Sequence, residues 1–230
     1  MINRFVLLFL SVFILTCASS NVPNNHNILY GRALEKNLKN FKFQKVDSAR
    51  TQNIVIIIAP RAFRDEEFQI PYEYLTSLGY KIKLASRDTI LATGMLGLAV
   101  RPQLSIEDID TLAYDGLILV GGTGSAIYWE DLKVHALVRH FAKTSGKFVA
   151  AICLAPITLA RAKVLEGHTA TVYENNFTRA EFSKYKVIYK KTDCVLCDNI
   201  ITANGPEAST KFAQTIAYYL QNRQRYARSN

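Results

Sequence analysis

The sequence predicts a doubly wound α/β domain with a mostly parallel sheet and helices on both faces. Three observations carry this. The runs Ile54–Ala59, Gly116–Val120 and Phe148–Ile152 are continuously apolar and rich in β-branched residues, the composition of strands covered on both faces. Stretches of helical periodicity alternate with them. Glycines stand where strands end and helices stop, at Gly79, Gly121–Gly122 and Gly146. A chain of 230 residues, 49% hydrophobic and 20% charged, can bury one sizeable core.

The first 20 residues stand apart. A short basic start at Ile2–Arg4, an apolar run from Phe5 to Thr16 and the small residues after it have the anatomy of a secretory signal. The run falls short of the roughly 20 residues a membrane span requires. Ile14–Cys17 is similar to a bacterial lipoprotein cleavage box, which would lipidate Cys17, although Thr16 stands where a smaller residue is usual. Ordinary cleavage nearby, discarding Cys17, is the alternative. The expected location is therefore the bacterial cell envelope, periplasmic or lipid-anchored, or else secretion. Membrane contact is expected only through the signal or a lipid. Residues 21–51 are polar and Asn- and Lys-rich, with a weak helical pattern through Leu34, Leu38 and Phe41, and read as a partly ordered linker. The folded domain is expected at 52–222, followed by a basic tail at 223–230.

Within the domain, Ile54–Ala59 opens the sheet. Glu66–Leu78 follows as a helix closed by Gly79, with Pro71 predicting an irregular first turn. Tyr80–Ser86 is a second strand, Leu91–Val100 a small hairpin around Gly94, and Gly116–Val120 a third buried strand running into Gly121–Ser125. Trp129–Thr144 is an amphipathic helix, Phe148–Ile152 a fourth strand and Ala155–Ala162 a helix directly after it. Shorter strands are expected near His168–Tyr173, Val187–Lys191 and Asn199–Ala203, then a closing helix from Pro206 to Gln221.

The 28 basic against 19 acidic residues give a net charge of +9. The basic residues are scattered, with modest groups at Lys184–Lys191 and Arg223–Arg228, and lack the aromatic and glycine interleaving of a nucleic-acid motif. Nucleic acid is not an expected partner.

The chemistry points to Ala151-Ile152-Cys153-Leu154-Ala155. A cysteine between a buried strand and a helix, with small residues two before and two after, fits a nucleophile elbow, whose sharp turn leaves no room for bulk at those positions. A helix N-terminus favours the thiolate, which predicts a Cys153 pKa below the ~8.5 of a free thiol. The Gly121–Gly122 loop should lie beside the elbow at the carboxyl edge of the sheet. There the backbone N–H groups of Gly122 and Leu154 could hold an oxyanion or carbonyl oxygen. A plain tight turn would account equally for the glycine pair.

From Asn53 to Gln221 the chain resembles the ThiJ/PfpI superfamily, which contains the PfpI-type proteases and the Parkinson-associated protein deglycase. The resemblance rests, in order, on Ile54–Ala59, Phe63-Arg64-Asp65-Glu66-Glu67 with Pro71, Tyr114–Gly116 leading to Val120–Gly122, Gly146-Lys147 leading to Ala150–Cys153, and Ile201–Pro206. It implies a flavodoxin-like fold, related to class I glutamine amidotransferases, and a homodimer. It also implies that Glu67 is the acid that hydrogen-bonds the cysteine sulfur, where a protonated carboxyl would relay a proton. A mere helix-start acid is the plainer account of Glu67.

Two departures matter. Protease-like members follow the cysteine with histidine, whereas Leu154 stands here, which argues against a Cys-His peptidase. Deglycase-like members bring a histidine from the strand after the elbow helix, and the matching position is Tyr173, a substrate contact but a poor base at neutral pH. His168 is expected on a solvated turn, and His135 and His140 as structural or surface residues. Cys194-Val195-Leu196-Cys197 has C-x-x-C spacing in a strand and turn. Outside the cytosol a local disulfide is conceivable, but free or structural thiols fit better, and no further zinc ligands are evident.

The leading expectation is thus an enzyme in which Cys153 attacks a small reactive carbonyl or a glyoxal-modified amine or protein. Glu67 shuttles the proton, and Gly122, Leu154 and Tyr173 bind the substrate. The alternative is a redox-sensing or stress-protective binding protein with an oxidisable Cys153. An amidotransferase needs a downstream His-x-Glu, which is missing after His168. No cofactor or metal is expected.

Overall fold

The computed structural model describes residues 26–46 and 52–223. The signal segment 1–20, Cys17, the remainder of the linker and the tail beyond 223 lie outside the described residues.

Chain order gives β1 (Ile28–Tyr30), α1 (Gly31–Asn40), β2 (Asn53–Ile57), β3 (Arg61–Phe63), α2 (Asp65–Ser77), β4 (Lys81–Ser86), β5 (Ala92–Gly94), β6 (Ala99–Val100) and β7 (Leu104–Ser105). Then follow β8 (Gly116–Leu119), α3 (Leu132–Lys143), β9 (Phe148–Ile152), α4 (Pro156–Arg161), β10 (Thr169–Ala170), α5 (Asn176–Lys184), β11 (Ile188–Tyr189), β12 (Cys194–Cys197), β13 (Ile200–Ala203) and α6 (Ser209–Asn222).

Eight strands form the central sheet in the order β1-β12-β13-β9-β8-β2-β4-β7. Its core from β13 to β7 is parallel, and the β12–β13 hairpin and β1 add an antiparallel edge. The buried strand runs explain the parallel part: every residue of β8 and β9 is buried, as are Ile54–Ile57, so both faces need helices. α6 packs with α1 and α2, while α4 joins α3 and α5 in a second group. The predicted doubly wound fold is the observed one.

Two expectations need correction, the predicted hairpin is found, and one further helix joins the pattern. Residues 26–46 are not a linker, because β1 pairs with β12 and α1 buries Leu34 and Leu38. Seen without its partners, that segment offered only two spaced leucines in a polar sequence. α2 runs continuously through Pro71, so the irregular first turn is absent. The hairpin β5–β6 turns beyond Gly94, closed by the Gly94 N–H donating to Leu98 O at 2.8 Å. Helix α5, capped by Asn175, which accepts from the Thr178 N–H at 2.8 Å, has an apolar pattern too weak to announce itself.

β8 and β9 are neighbours, and the strand order reverses direction around β2. The ends of β8 and β9 therefore open onto the carboxyl-edge crevice where doubly wound sheets bind ligands.

Candidate active site

Cys153 follows β9 directly and has φ 62°, a left-handed conformation that costs a non-glycine residue of order 1–3 kcal/mol. Neighbours on both sides hold it there. Its N–H donates to Ala203 O at 2.9 Å, and its carbonyl accepts from the Tyr173 N–H at 2.9 Å. Ala151 and Ala155 are fully buried against the turn, as the elbow spacing predicts.

Glu67 reaches this cysteine from the first turn of α2. The acidic triplet Asp65-Glu66-Glu67 splits by helical angle: Glu66 pairs outward with Arg64 at 2.8 Å, while Asp65 and Glu67 turn inward. Asp65 accepts the N–H groups of Leu96 and Leu98 at 2.9 and 2.8 Å, fixing the β5–β6 turn to the start of α2. Glu67 is fully buried; its Oε2 accepts from the Gly121 N–H at 3.1 Å, and its Oε1 has no hydrogen-bond partner.

The glycine pair is required by space. A Cβ on Gly121 would lie 2.6 Å from Cys153 Cβ, Glu67 Oε2 and Ile152 O. Gly122 has φ 86°, and a Cβ there would lie 2.5 Å from Ala62 O and Arg64 N. Gly121 is thus packed directly against Cys153 and Glu67.

Burial pushes the Glu67 carboxyl up to about 8, against the hydrogen bonds from Cys153 and from the Gly121 N–H. Burial, reinforced by the Glu67 carboxylate, pushes the Cys153 thiol up to about 12, while the N–H groups of Gly122 and Leu154 pull it down. The depressed thiol expected from a helix terminus is thus not found. The helix α4 begins only at Pro156 and spans six residues, so its dipole is too short and too distant to outweigh desolvation. The two groups act as a pair. When the carboxyl holds the proton, its repulsion of the thiolate disappears and the carboxyl can donate to the sulfur.

A cleft of about 320 Å³ opens at this point, lined by Glu67, Cys153, Gly122, Leu154 and Tyr173. All five residues singled out in the sequence therefore meet. Arg64, Met95, Thr123, Pro206 and Glu207 complete the wall. Arg64 and Pro206 stand inside motifs already visible in the sequence, but Met95 arrives on the hairpin turn and has no local signal. Asn204 donates its backbone N–H to Asp193 O at 3.0 Å, and Pro206 and Glu207 after it reach the cleft. None of the lining residues is a histidine. His168 lies with His26 and Asp198, not on a solvated turn. His135 is buried, with Nε2 2.9 Å from Trp129 O. Cys194 and Cys197 are free, buried thiols, so the local disulfide is absent; three residues apart on a strand, they point to opposite faces.

A family-wide sequence profile, the DJ-1/PfpI family, matches residues 52–218. The chain belongs to the DJ-1/PfpI family. Among its DJ-1/PfpI relatives are the deglycase PfpI of Pyrococcus furiosus, 30% identical over 52% of this chain and 71% of that one. The glutathione-independent glyoxalase of Caenorhabditis elegans is 24% identical over 75% and 91%. The crystal structure of a ThiJ/PfpI domain protein from Brachyspira murdochii superposes with a TM-score of 0.71 at 29% identity, covering 75% of this chain and 98% of that one.

Proposed function

We propose that this DJ-1/PfpI protein converts small reactive dicarbonyls of the glyoxal class, or their adducts with amines, through a covalent adduct on Cys153. The observation that carries the reading is the buried Glu67 carboxyl, raised to about 8 with one oxygen unpartnered, beside a cysteine flanked by two backbone donors. The relatives named as a deglycase and a glyoxalase point to the same substrate class.

In this reading the Cys153 sulfur attacks the aldehyde carbon, forming a C–S bond as the C=O π bond opens. Glu67, as the carboxylate, takes the thiol proton during the attack and hands it to the new alkoxide, which the Gly122 and Leu154 N–H groups steady. The hemithioacetal then loses its C1 proton to Glu67 and is reprotonated at C2, giving a thioester. Water cleaves that thioester, releasing a 2-hydroxy acid and restoring the thiol. The sum is dicarbonyl plus water, with no external oxidant or reductant. Tyr173 and Arg64 line the cleft and would orient the second carbonyl. Leu154 in place of histidine leaves peptidase chemistry without a base.

The deciding experiment follows methylglyoxal consumption and lactate formation by the full chain, its Cys153→Ser variant and its Glu67→Gln variant. Catalytic turnover by wild type that both variants lose supports the reading. Loss of methylglyoxal equal only to the thiol content sinks it and favours the oxidisable sensor.

The homodimer, the export signal at 1–20 and lipidation at Cys17 belong to the same proposal. Sedimentation and mass analysis of the mature chain test them.

A further inference from the structure

At the opposite, amino edge of the sheet a second group of reactive side chains gathers, none of it used at Cys153. Cys197 ends β12 and pairs with Ile28 of β1. Asp198 opens the turn to β13, with φ 54°. The arriving N-terminal strand is stitched to that turn: the Asp198 N–H donates to Asn27 O, and the Asn27 N–H donates to Asp198 Oδ1, both at 2.9 Å. This brings His26 Nδ1 onto Asp198 Oδ2. A nitrogen of His26, the sulfur of Cys197 and a carboxylate oxygen of Asp198 all lie within 4.8 Å of one another. His168 stands beside these three, its ring centroid 4.1 Å from that of His26 and its Nε2 3.9 Å from Asp198 Oδ2.

The far atoms of Asp198 and His168 are already held by backbone. Asp198 Oδ1 is occupied by the Asn27 N–H, leaving Oδ2 inward. His168 Nδ1 lies 3.1 Å from Glu166 O, so it carries the proton and Nε2 presents a lone pair. The Thr169 N–H is directed at the Cys197 sulfur. Such outer contacts are what orient and tune metal ligands.

We propose that His26, Cys197 and Asp198, with His168 as fourth donor, form a tetrahedral site for a zinc-class divalent metal that clamps the N-terminal strand to the β12–β13 turn. Two neutral imidazoles, one thiolate and one carboxylate carry two negative charges, which a divalent ion neutralises. Mixed N, S and O donors suit zinc or cobalt over magnesium or calcium. Tetrahedral bonds of ~2.0–2.3 Å put donors about 3.5 Å apart, a contraction that side-chain rotation supplies. Binding expels the Cys197 thiol proton into solvent and therefore strengthens as pH rises.

The test is Co²⁺ titration of the reduced full chain. Expected is one Co²⁺ per chain, with a near-ultraviolet thiolate-to-cobalt charge-transfer band that one equivalent of Zn²⁺ abolishes. The band should survive in Cys153→Ser and Cys17→Ser, vanish in Cys197→Ser and His26→Ala, and require at least ~10-fold more Co²⁺ in His168→Ala. Should Cys197→Ser misfold by circular dichroism, His26→Ala decides, because His26 lies at the partly exposed start of the strand. Absence of a thiolate band in wild type overturns the site. So does a band that disappears with Cys153→Ser or Cys17→Ser and persists without His26.

Discussion

Cys153 and Cys197 are both buried, and burial pushes both thiols up to about 12, yet their surroundings direct them to different chemistry. Cys153 occupies a left-handed turn at the carboxyl edge and faces one buried acid and two backbone donors across a cleft. Cys197 sits in a regular strand at the amino edge, beside two imidazoles and a carboxylate whose outer atoms are already tied. The thiol alone does not distinguish a nucleophile from a metal ligand. What distinguishes them is whether the neighbours move a proton or present lone pairs.

The largest separation between the two thiols should appear in turnover. Cys153→Ser is expected to lower methylglyoxal kcat/KM at least ~10³-fold, while Cys197→Ser leaves it within about twofold; equal losses would erase the contrast. Next comes the pH dependence of stability. Burial holds the folded pKa of Glu67 at about 8, well above the usual carboxylate range. Its contribution is therefore fully present below pH ~4.5 and is lost as pH rises through about 8. Urea unfolding should show wild type losing a few kcal/mol across that window, and Glu67→Gln should flatten this slope. An unchanged slope would mean the carboxyl ionises freely.

A smaller effect tests how tightly the elbow is built. Gly121→Ala forces a methyl to 2.6 Å from Cys153 Cβ and Glu67 Oε2 and should cost about 1–3 kcal/mol in urea melts, with turnover falling alongside. The smallest concerns the other edge: without metal, His26→Ala removes a partly exposed ion pair with Asp198 and should shift stability by less than ~1 kcal/mol. With Zn²⁺ present, only wild type should gain thermal stability. A gain retained by the variant would remove His26 from the site.

The sequence by itself determined the α/β class, the strand runs Ile54–Ala59, Gly116–Val120 and Phe148–Ile152 and the turn at Cys153, while Glu67 was singled out only through the family resemblance. The first three are legible because each depends on local spacing: β-branched runs and small residues flanking a turn. Tertiary structure alone decided the rest. Leu34 and Leu38 find their core only across other elements, so residues 26–46 looked like a tether. His26 and His168 reach Cys197-Asp198 from segments far apart in the chain, so no motif could announce the group. The direction of the Cys153 shift was decided by burial, which spacing does not reveal: desolvating a charge outweighs the dipole of a six-residue helix.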